Sequence, residues 1–405
     1  MSLKIRKVDA LYFILIIPFL IPTSLYIYPL VLNAVRAFKL IGFGYSLWLF
    51  FRTAIRRQKF LHYIAAYFII LLISTILQNG NIYTWFSNNY PYFSVCVLIC
   101  GWFYAIGDEA LRKISNIFVL FLILNLMSWF MGGLYIDTTS SFGTERMVYF
   151  WGIRNSLTYS LFPMSVIILM DIGDFKLFTI RKIIKFLAIC ANILVALSME
   201  LDTAIIGIAF FVVVCIANGN RFRQLPKWNK LTIWLIVAVF VFVSVFGATN
   251  SVVEGLTGVF DKGTTFNGRT YIWASVLSQM EGVSWLFGHG VGNEMSFAIR
   301  GAVTNTTHSQ YLYILYESGL LGLVFFLWLI YGQLKPLFKF SFQNKNRIIF
   351  AGIAAIMVAG IVENICNNCY FYAMLSVVSC YINMRITEVD DMSDSEVGLP
   401  GGTND

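Results

Sequence analysis

The sequence predicts an all-α polytopic membrane protein, and three observations support this fold class. The composition is 58% hydrophobic and 17% aromatic with only 12% charged residues, which leaves too little polar surface for a soluble domain of 405 residues. The apolar runs are each about 17 to 25 residues long, which suits membrane-spanning helices and not the short alternating strands of a barrel. Basic residues are concentrated in alternate loops, as they are in short cytoplasmic loops of membrane proteins.

The apolar runs, separated at their polar breaks, predict twelve spans. The first two spans are divided by Pro18, Pro22 and Pro29, which interrupt a nearly continuous apolar run. The predicted spans are residues 9–25, 30–51, 60–78, 91–107, 114–134, 156–173, 183–199, 203–217, 231–248, 310–333, 347–362 and 369–385.

The distribution of lysine and arginine predicts that both termini are cytoplasmic. With the N-terminus inside, 22 of the 29 basic residues fall in inner segments, five fall in outer segments, and Arg36 and Lys39 lie within a span. The net charge of +8 is therefore mainly a topology signal. Because the basic residues are dispersed among loops and form no single patch, nucleic-acid binding is not expected.

This topology divides the chain into four parts. Residues 1–248 hold the first nine spans, residues 249–309 form a large, partly helical extracytoplasmic loop, and residues 310–385 hold the last three spans. The acidic, polar residues 386–405 are predicted to be a disordered cytoplasmic tail. No cleavable signal peptide is evident, because further spans follow the first apolar run.

The seven cysteines suggest neither a disulfide framework nor a metal site. Most lie within apolar runs, where cysteine behaves as a small hydrophobic residue. Cys366 and Cys369 have redox or metal spacing, but no second pair and no nearby histidine accompanies them. We interpret the spacing as coincidence.

The large outer loop contains a candidate anion site at Arg269. Asn267 is placed to cap a helix whose apolar stripe is Ile272, Trp273, Val276, Leu277 and Met280. Arg269 lies on that stripe in the first turn, where a cation opposes the helix dipole. An anionic ligand, such as a phosphate at the free backbone donors of the helix start, would remove the conflict. The alternative is a salt bridge to Asp261 or Glu281.

His308, just before the tenth predicted span, is a candidate general base. An imidazole is partly neutral at physiological pH, so it can accept a proton from a hydroxyl group. The alternative is a histidine that only caps the following helix. The earlier stretch Phe287-Gly-His-Gly-Val-Gly292 lacks a preceding strand, which favours a tight turn over a nucleotide-binding loop.

Further polar residues stand near the same membrane surface. Glu317, with Gln310 and Tyr313, makes a polar face at helical spacing inside a span, either to pair with an arginine or for chemistry. Arg154 precedes the sixth span and is a second place to hold an anion. Glu200 and Asp202 lie in an outer turn, where they neutralise arginines, contact a sugar or are simply solvated.

Three stretches together carry a resemblance to a known family. They are Asn267-Gly-Arg269-Thr-Tyr-Ile-Trp273, Phe287-Gly-His-Gly-Val-Gly292 and His308-Ser-Gln310-Tyr311-Leu-Tyr-Ile-Leu-Tyr-Glu317. Their order and spacing resemble the O-antigen polymerase and ligase superfamily. The specific motifs occupy about sixty residues, and the predicted topology extends the similarity over most of the chain.

The resemblance implies a membrane glycosyltransferase of the C-type (GT-C) architecture in the bacterial cytoplasmic membrane. Such an enzyme moves a glycan from an undecaprenyl diphosphate carrier to an acceptor on the extracytoplasmic side, without nucleotide sugar, metal or other cofactor. By the family pattern, Arg269 grips the diphosphate and His308 deprotonates the acceptor hydroxyl, while Asn267, Gln310, Tyr311 and Glu317 fall on the binding motifs. A chain-length regulator protein is an implied partner.

The chain departs from the family pattern before its eighth span. Many relatives carry an arginine there, but this turn reads Leu197-Ser-Met-Glu-Leu-Asp202. Arg154 and Arg300 are the available substitutes for the second cation. Within the superfamily the resemblance favours a polymerase of lipid-linked repeat units for O-antigen or capsular polysaccharide, with the ligase that delivers glycan to lipid A core as the alternative.

A transporter or lipid-linked oligosaccharide flippase is the alternative from a different class. Twelve helices with arginines near an outer cavity would suit it. Most ionisable candidates cluster on one outer side and not near the bilayer midplane, which favours surface chemistry. A purely structural membrane scaffold is the third interpretation.

Overall fold

The computed structural model describes residues 3–52, 55, 58–138, 145–173, 179–217, 230–238, 269–293, 295–299, 302–338 and 344–397. Helices dominate these residues. Residues 249–268, the first part of the predicted outer loop, lie outside the described residues, as does most of the ninth predicted span.

The first two helices are separated by the prolines that the sequence analysis singled out. Helix α1 (Leu3–Leu20) contains Pro18, and a short 3-10 helix (Thr23–Ile27) follows Pro22. Pro29 then opens α2 (Pro29–Arg52), a position where proline needs no backbone donor. The first span therefore ends earlier than residue 25, because the chain changes to 3-10 geometry beyond Pro22.

The next three helices match the predicted spans, with the largest difference at the start of α4. They are α3 (Lys59–Leu77), α4 (Ile82–Ile106) and α5 (Glu109–Phe130). Helix α4 begins at Ile82 and not at residue 91, because the Asn81 side chain accepts a hydrogen bond of 3.0 Å from the Thr84 backbone N–H and caps the helix. Its first two turns are too polar to be recognised as part of an apolar run.

Short strands form in both of the long outer segments, where the sequence analysis predicted no strands. An antiparallel sheet joins β1 (Tyr135–Asp137), β2 (Arg146–Tyr149) and β3 (Gly152–Ile153). A hairpin pairs β4 (Phe297–Ile299) with β5 (Ala302–Thr304). Strands of two to four residues are too short to leave a readable alternation in the sequence.

The remaining helices follow the predicted order along the chain. Residues 230–238, within the predicted ninth span, are helical as well. The elements are α6 (Ser156–Ile172), α7 (Ile180–Ser198), α8 (Asp202–Ala217), α9 (Arg269–Gln279), α10 (Ser284–Phe287), α11 (Gln310–Leu334), α12 (Asn344–Val362) and α13 (Cys369–Val397).

The protein is a multi-pass membrane protein. Among the described residues, six helices are long and apolar enough to cross a membrane, namely α2, α3, α4, α5, α11 and α12. Helices α6 and α8 are apolar but shorter. The total of twelve spans and the cytoplasmic position of both termini remain predictions.

Close helix packing depends on glycine at several crossings. At Gly352 of α12 an added Cβ would lie 2.1 Å from the Val166 side chain of α6, and at Gly207 of α8 it would lie 2.3 Å from the Phe162 ring. Small residues of this kind allow helices to approach in a bilayer, where packing and not the hydrophobic effect drives association. Helix α6 therefore packs closely against both α8 and α12.

The glycine motif of the outer loop is a tight turn that docks on a broken helix. Gly288, Gly290 and Gly292 have positive φ angles of 72°, 79° and 84°. Helix α11 is interrupted at Gly319, and the freed carbonyls of Tyr316 and Glu317 accept hydrogen bonds from the backbone N–H groups of residues 289 and 290 at 2.6 and 3.0 Å. The tight-turn interpretation is confirmed, and the motif serves helix packing.

The last helix corrects the prediction of a disordered tail. Helix α13 runs from Cys369 to Val397, so residues 386–397 continue the final span as helix. The stretch contains no glycine or proline before Gly398, and the helix therefore meets no backbone signal to stop. Residues 398–405 lie outside the described residues.

Candidate active site

A buried carboxylate, Glu363, contacts three polar side chains from separate parts of the chain. Glu363 directly follows α12 and its side chain is 5% exposed. Its Oε2 lies 3.1 Å from Nη2 of Arg269, and its Oε1 lies 3.3 Å from both Nδ1 of His308 and the hydroxyl of Tyr159. We call Tyr159, Arg269, His308 and Glu363 the Glu363 cluster. It brings together the two residues that the sequence analysis placed in the site.

Arg269 is placed by the apolar stripe of α9. Ile272, Trp273, Val276 and Met280 are each at most 3% exposed, which confirms the predicted packing face. The Arg269 guanidinium donates to Glu363 and to the Val362 carbonyl oxygen. Arg269 therefore forms a salt bridge, which was the alternative to an anion site. Its partner is Glu363 and not Glu281. Asp261, the other predicted partner, lies outside the described residues.

His308 is held in a left-handed backbone conformation, with φ of 47°, immediately before α11. Ser309 is the N-cap residue of α11, so His308 is not the cap of this helix. An ionised carboxylate can only accept a hydrogen bond, so its contact with Nδ1 requires the proton on Nδ1. In neutral His308 the lone pair is then on Nε2, which has no hydrogen-bond partner among the described residues.

Buried hydrogen bonds hold the backbone around His308. The Thr307 hydroxyl donates to the Ser309 carbonyl oxygen at 2.8 Å, and the Trp273 indole N–H donates to the Thr307 carbonyl oxygen at 3.0 Å. Asn364 donates to the Thr306 hydroxyl oxygen at 2.9 Å. These bonds tie the segment before α11 to α9 and to the turn after α12, which offsets the cost of the left-handed residue.

The charge balance of the cluster favours an ionised Glu363. Burial alone would raise the pKa of the Glu363 carboxyl, but the hydrogen bond from His308 and the charge of Arg269 outweigh it and hold the pKa below its ordinary value. A carboxylate that stays ionised near neutral pH keeps His308 in the tautomer described above. It also orients the Arg269 guanidinium.

Gln310 and Tyr311 lie beside the cluster and bond to the protein itself. The Gln310 amide donates to Asn367 at 3.0 Å and accepts from the Cys366 backbone N–H at 2.8 Å. The Tyr311 hydroxyl donates to the Met357 carbonyl oxygen at 2.7 Å, and its ring is 3% exposed. These contacts fix α11 to α12 and to the turn that carries Glu363, so both residues are placed in packing and not open to a ligand.

Glu317 lies in a different environment, about two turns beyond Gln310 along α11. Its carboxylate accepts a hydrogen bond of 2.7 Å from the Tyr313 hydroxyl, as the predicted polar face suggested. The interpretation that Glu317 pairs with an arginine finds no such partner among the described residues. Its side chain is 8% exposed, and the structure does not bring it into the Glu363 cluster.

Arg154 contacts the turn that lacks the family arginine. Its Nη2 donates to the Glu200 carbonyl oxygen at 2.6 Å, between α7 and α8. Glu200 has a positive φ of 50°. The cation is exposed and lies two residues before α6, the helix that supplies Tyr159. The other predicted binding residues, Asn267 and Arg300, lie outside the described residues.

The chain is similar in sequence to a known family and to a bacterial protein of polysaccharide production. Residues 186–327 match a family described as O-antigen ligase, a range that contains both Arg269 and His308. The resemblance to the O-antigen polymerase and ligase superfamily is confirmed. The chain is also similar to the exopolysaccharide production protein ExoQ of Rhizobium meliloti strain 1021, with 25% identity over 189 residues. That similarity covers 41% of this chain and 42% of ExoQ, so the chain spans less than half of the relative's length.

Glu363 and Tyr159 are the cluster residues that the sequence analysis missed. Both lie outside the range matched by the family. The available signal for Glu363 was a single carboxylate at the end of an apolar run, a position where ionisable residues are costly and tend to be paired. Tyr159 carried no signal, because a tyrosine in the first turn of an apolar helix is common at a membrane surface.

Proposed function

We propose that the protein is a membrane glycosyltransferase that polymerises undecaprenyl-diphosphate-linked oligosaccharide repeat units into polysaccharide. The observation that carries this proposal is the single carboxylate of Glu363, which holds a histidine and an arginine together beside the membrane-spanning helices. The arrangement provides a proton acceptor and a cation within one site. Glycosyl transfer from a lipid diphosphate needs both.

In the proposed reaction, His308 Nε2 accepts the proton of the acceptor hydroxyl as its oxygen attacks the anomeric carbon of the donor sugar. The bond between that carbon and the diphosphate oxygen breaks, and the electron pair leaves with the diphosphate. Glu363 stabilises the imidazolium that forms, as a carboxylate does behind a catalytic histidine. Each protein group thus has one role, and the proton ends on His308.

Arg269 is proposed to stabilise the departing diphosphate. A guanidinium has five N–H donors, and its bonds to Glu363 and the Val362 carbonyl oxygen leave others for a phosphate. Because the leaving group gains negative charge as the bond breaks, this cation assists departure as well as binding. Arg154, exposed at the turn near Glu200, is proposed as the second cation in place of the missing family arginine.

The ligase reaction is the second candidate, and the family description favours it. Both reactions use the same donor chemistry and differ in the acceptor, which is a lipid-linked glycan for the polymerase and lipid A core for the ligase. Incubation of the purified protein with each acceptor separates them. Under the polymerase proposal, lipid-linked repeats lengthen and lipid A core receives no glycan.

The proposal is tested with purified protein and lipid-linked repeat units, with products resolved by glycan length. We expect lengthening in the wild type and a loss of about 10² to 10⁴-fold in rate for His308→Ala. Arg269→Ala should also abolish lengthening, with both variants still folded by circular dichroism. Transbilayer movement of the authentic lipid-linked substrate without lengthening would contradict the proposal and indicate a flippase.

A further inference from the structure

Two basic residues of α2, Arg36 and Lys39, lie on the same side of the protein as the Glu363 cluster, and the proposed reaction does not use them. The Tyr370 hydroxyl at the start of α13 donates to the Leu20 carbonyl oxygen at the end of α1 at 2.7 Å. The 3-10 helix and the first half of α2 follow from that point. Glu363 precedes the start of α13 by a short turn, so the two groups of cations share one end of the bundle.

Contacts on either side of Lys39 show where this residue lies along the helix bundle. Its ammonium donates to the Tyr26 hydroxyl at 2.9 Å, in the 3-10 helix beyond the end of α1. One turn farther along α2, the Phe43 ring packs at 5.4 Å on both Phe86 and Tyr90, in the first turns of α4. Lys39 therefore lies near the C-terminal end of α1 and the N-terminal end of α4, at the membrane surface.

These cations lie on a helix that packs little against the rest of the protein, and no described residue supplies a counter-charge. Only 22% of the apolar stretch of α2 is buried in the protein, against 50% or more for the other five candidate spans. Arg36 is exposed and Lys39 is half-buried. Among the described residues, no carboxylate lies within ion-pair distance of either side chain.

The surroundings fit an amphiphilic anion. Arg36 and Lys39 are one helical turn apart and present charge at the surface, and the rings of Phe43, Phe86 and Tyr90 pack together between α2 and α4 below them. A diphosphate at the cations would leave its hydrocarbon chain along the exposed apolar face of α2. Basic residues are depleted on the side predicted to be external, so a basic pair there calls for an explanation.

We infer that Arg36 and Lys39 form a second diphosphate site, which holds the lipid carrier of the acceptor glycan. This inference rests on the proposed function, because a polymerase must bind two lipid-linked glycans at once. The donor diphosphate adjoins the reacting carbon and so belongs beside Arg269 and His308. The acceptor diphosphate is separated from the attacking hydroxyl by the length of the repeat unit, so its site must lie apart from the cluster.

The chain between the two sites supports this separation. Glu363 lies at one end of the turn between α12 and α13, and Tyr370, just past the other end, donates its hydroxyl to the Leu20 carbonyl oxygen at the end of α1. Gln310 fixes the middle of the turn through Asn367 and the Cys366 backbone N–H. The turn thus connects the Glu363 cluster to the end of α1, from which the 3-10 helix and α2 follow.

Kinetics with two acceptors test the inference. The first acceptor is a lipid-linked repeat whose carrier bond is a non-cleavable phosphonate, so that it accepts glycan but cannot donate it. The second is the same repeat as a soluble oligosaccharide without carrier. For Arg36→Gln/Lys39→Gln we expect the KM for the lipid-linked acceptor to rise by about tenfold or more, with kcat and transfer to the soluble acceptor unchanged.

A matched control is Arg52→Gln, which removes a cation from the other end of the same helix. It should leave transfer to both acceptors unchanged. An equal loss with both acceptors in the double variant would overturn the inference, because the cations would then act on donor binding or on folding.

A binding count tests the second site without turnover. Native mass spectrometry of the wild type with the non-cleavable lipid-linked repeat should show two molecules bound per chain, and one in Arg36→Gln/Lys39→Gln. One molecule on the wild type, or equal displacement by phosphatidylglycerol, would overturn the inference and indicate an ordinary headgroup contact. If the wild type transfers glycan to neither acceptor, the proposed function fails, and this count still decides whether the second site exists.

Discussion

Helix α6 takes part in a buried polar contact at each of its ends, and the partners in the two contacts come from different parts of the chain. Near its last turn, Asp171 pairs with Lys185 of α7, whose ammonium also donates to Ser115 of α5 at 2.9 Å. Near its first turn, Tyr159 joins Glu363, Arg269 and His308. The first contact ties three neighbouring helices together, whereas the second gathers groups from four distant parts of the chain.

The difference separates a packing contact from a site. The side chains of Lys185 and Asp171 are 4% and 15% exposed, so both charges are enclosed by protein. In the Glu363 cluster, Arg269 and His308 are 22% and 28% exposed, and His308 Nε2 has no partner among the described residues. Only the Glu363 cluster has bonding capacity left for a substrate.

The largest expected effect is a loss of stability when the Lys185 ammonium is removed. Lys185→Met leaves the buried Asp171 charge without its partner, and we expect a loss of about 3 to 5 kcal/mol in the free energy of unfolding. Equilibrium unfolding in mixed micelles measures it. Elongation per folded molecule should stay at the wild-type rate.

The control is the double substitution Lys185→Met/Asp171→Leu, which removes both charges. It should recover much of the lost stability, since replacing a buried pair by apolar residues is often neutral. If Lys185→Met keeps the wild-type free energy of unfolding but lowers the elongation rate, the two ends of α6 do not differ in the way described here.

At the other end, Glu363→Gln should reduce activity more than stability. Glutamine keeps the size of the side chain but loses the charge that orients His308 and Arg269. We expect a fall of about 10 to 100-fold in elongation rate, the usual effect of losing a group that orients an active residue. The thermal midpoint should change less than in Lys185→Met, and an unchanged rate would contradict the role of Glu363.

Tyr159→Phe removes one hydrogen bond to Glu363, and we expect a smaller loss of about 0.5 to 1.5 kcal/mol in transition-state stabilisation. Steady-state elongation kinetics measure it. Tyr316→Phe is a matched control, because it removes a hydroxyl that bonds to Gln279 at the same distance of 3.3 Å, outside the cluster. Equal losses in the two variants would argue against a specific role for Tyr159.

The smallest effect concerns acid stability. The pKa of Glu363 is lowered in the folded protein, so its ionised form stabilises the fold above the unfolded pKa of about 4.3. That contribution is lost as the pH falls from this value through the folded pKa. The difference in thermal midpoint between wild type and Glu363→Gln should therefore shrink as the pH falls below about 4.3. A difference that grows on acidification would contradict the sign of the shift.

Much of the fold was predictable because lipid demands long apolar helices. The predicted spans coincide with helices wherever the structure describes them, and their ends differ where local chemistry overrides hydropathy. Asn81 starts α4 within a polar stretch, and the absence of glycine or proline before Gly398 lets α13 continue past the last span. These local signals lie outside the apolar runs on which the prediction was based.

The site was predictable in part, because Arg269 and His308 stand out as charges beside the membrane within family motifs. Their common partner was not predictable, since Glu363 is about 55 residues beyond His308 and no sequence pattern links the two. Contacts of that range depend on how α12 packs against α6 and α11. The glycines of residues 288–292 were recognised as a turn, but their docking on the break at Gly319 required the structure.

A double-mutant cycle of elongation rates shows whether Glu363 acts through His308. Glu363→Gln is measured in the wild type and in the His308→Ala background, with protein amounts matched by folded fraction. If Glu363 serves to orient His308, its substitution should cost little or nothing once the histidine is absent. An undiminished cost in the His308→Ala background would show that the two residues act independently, and would contradict the account.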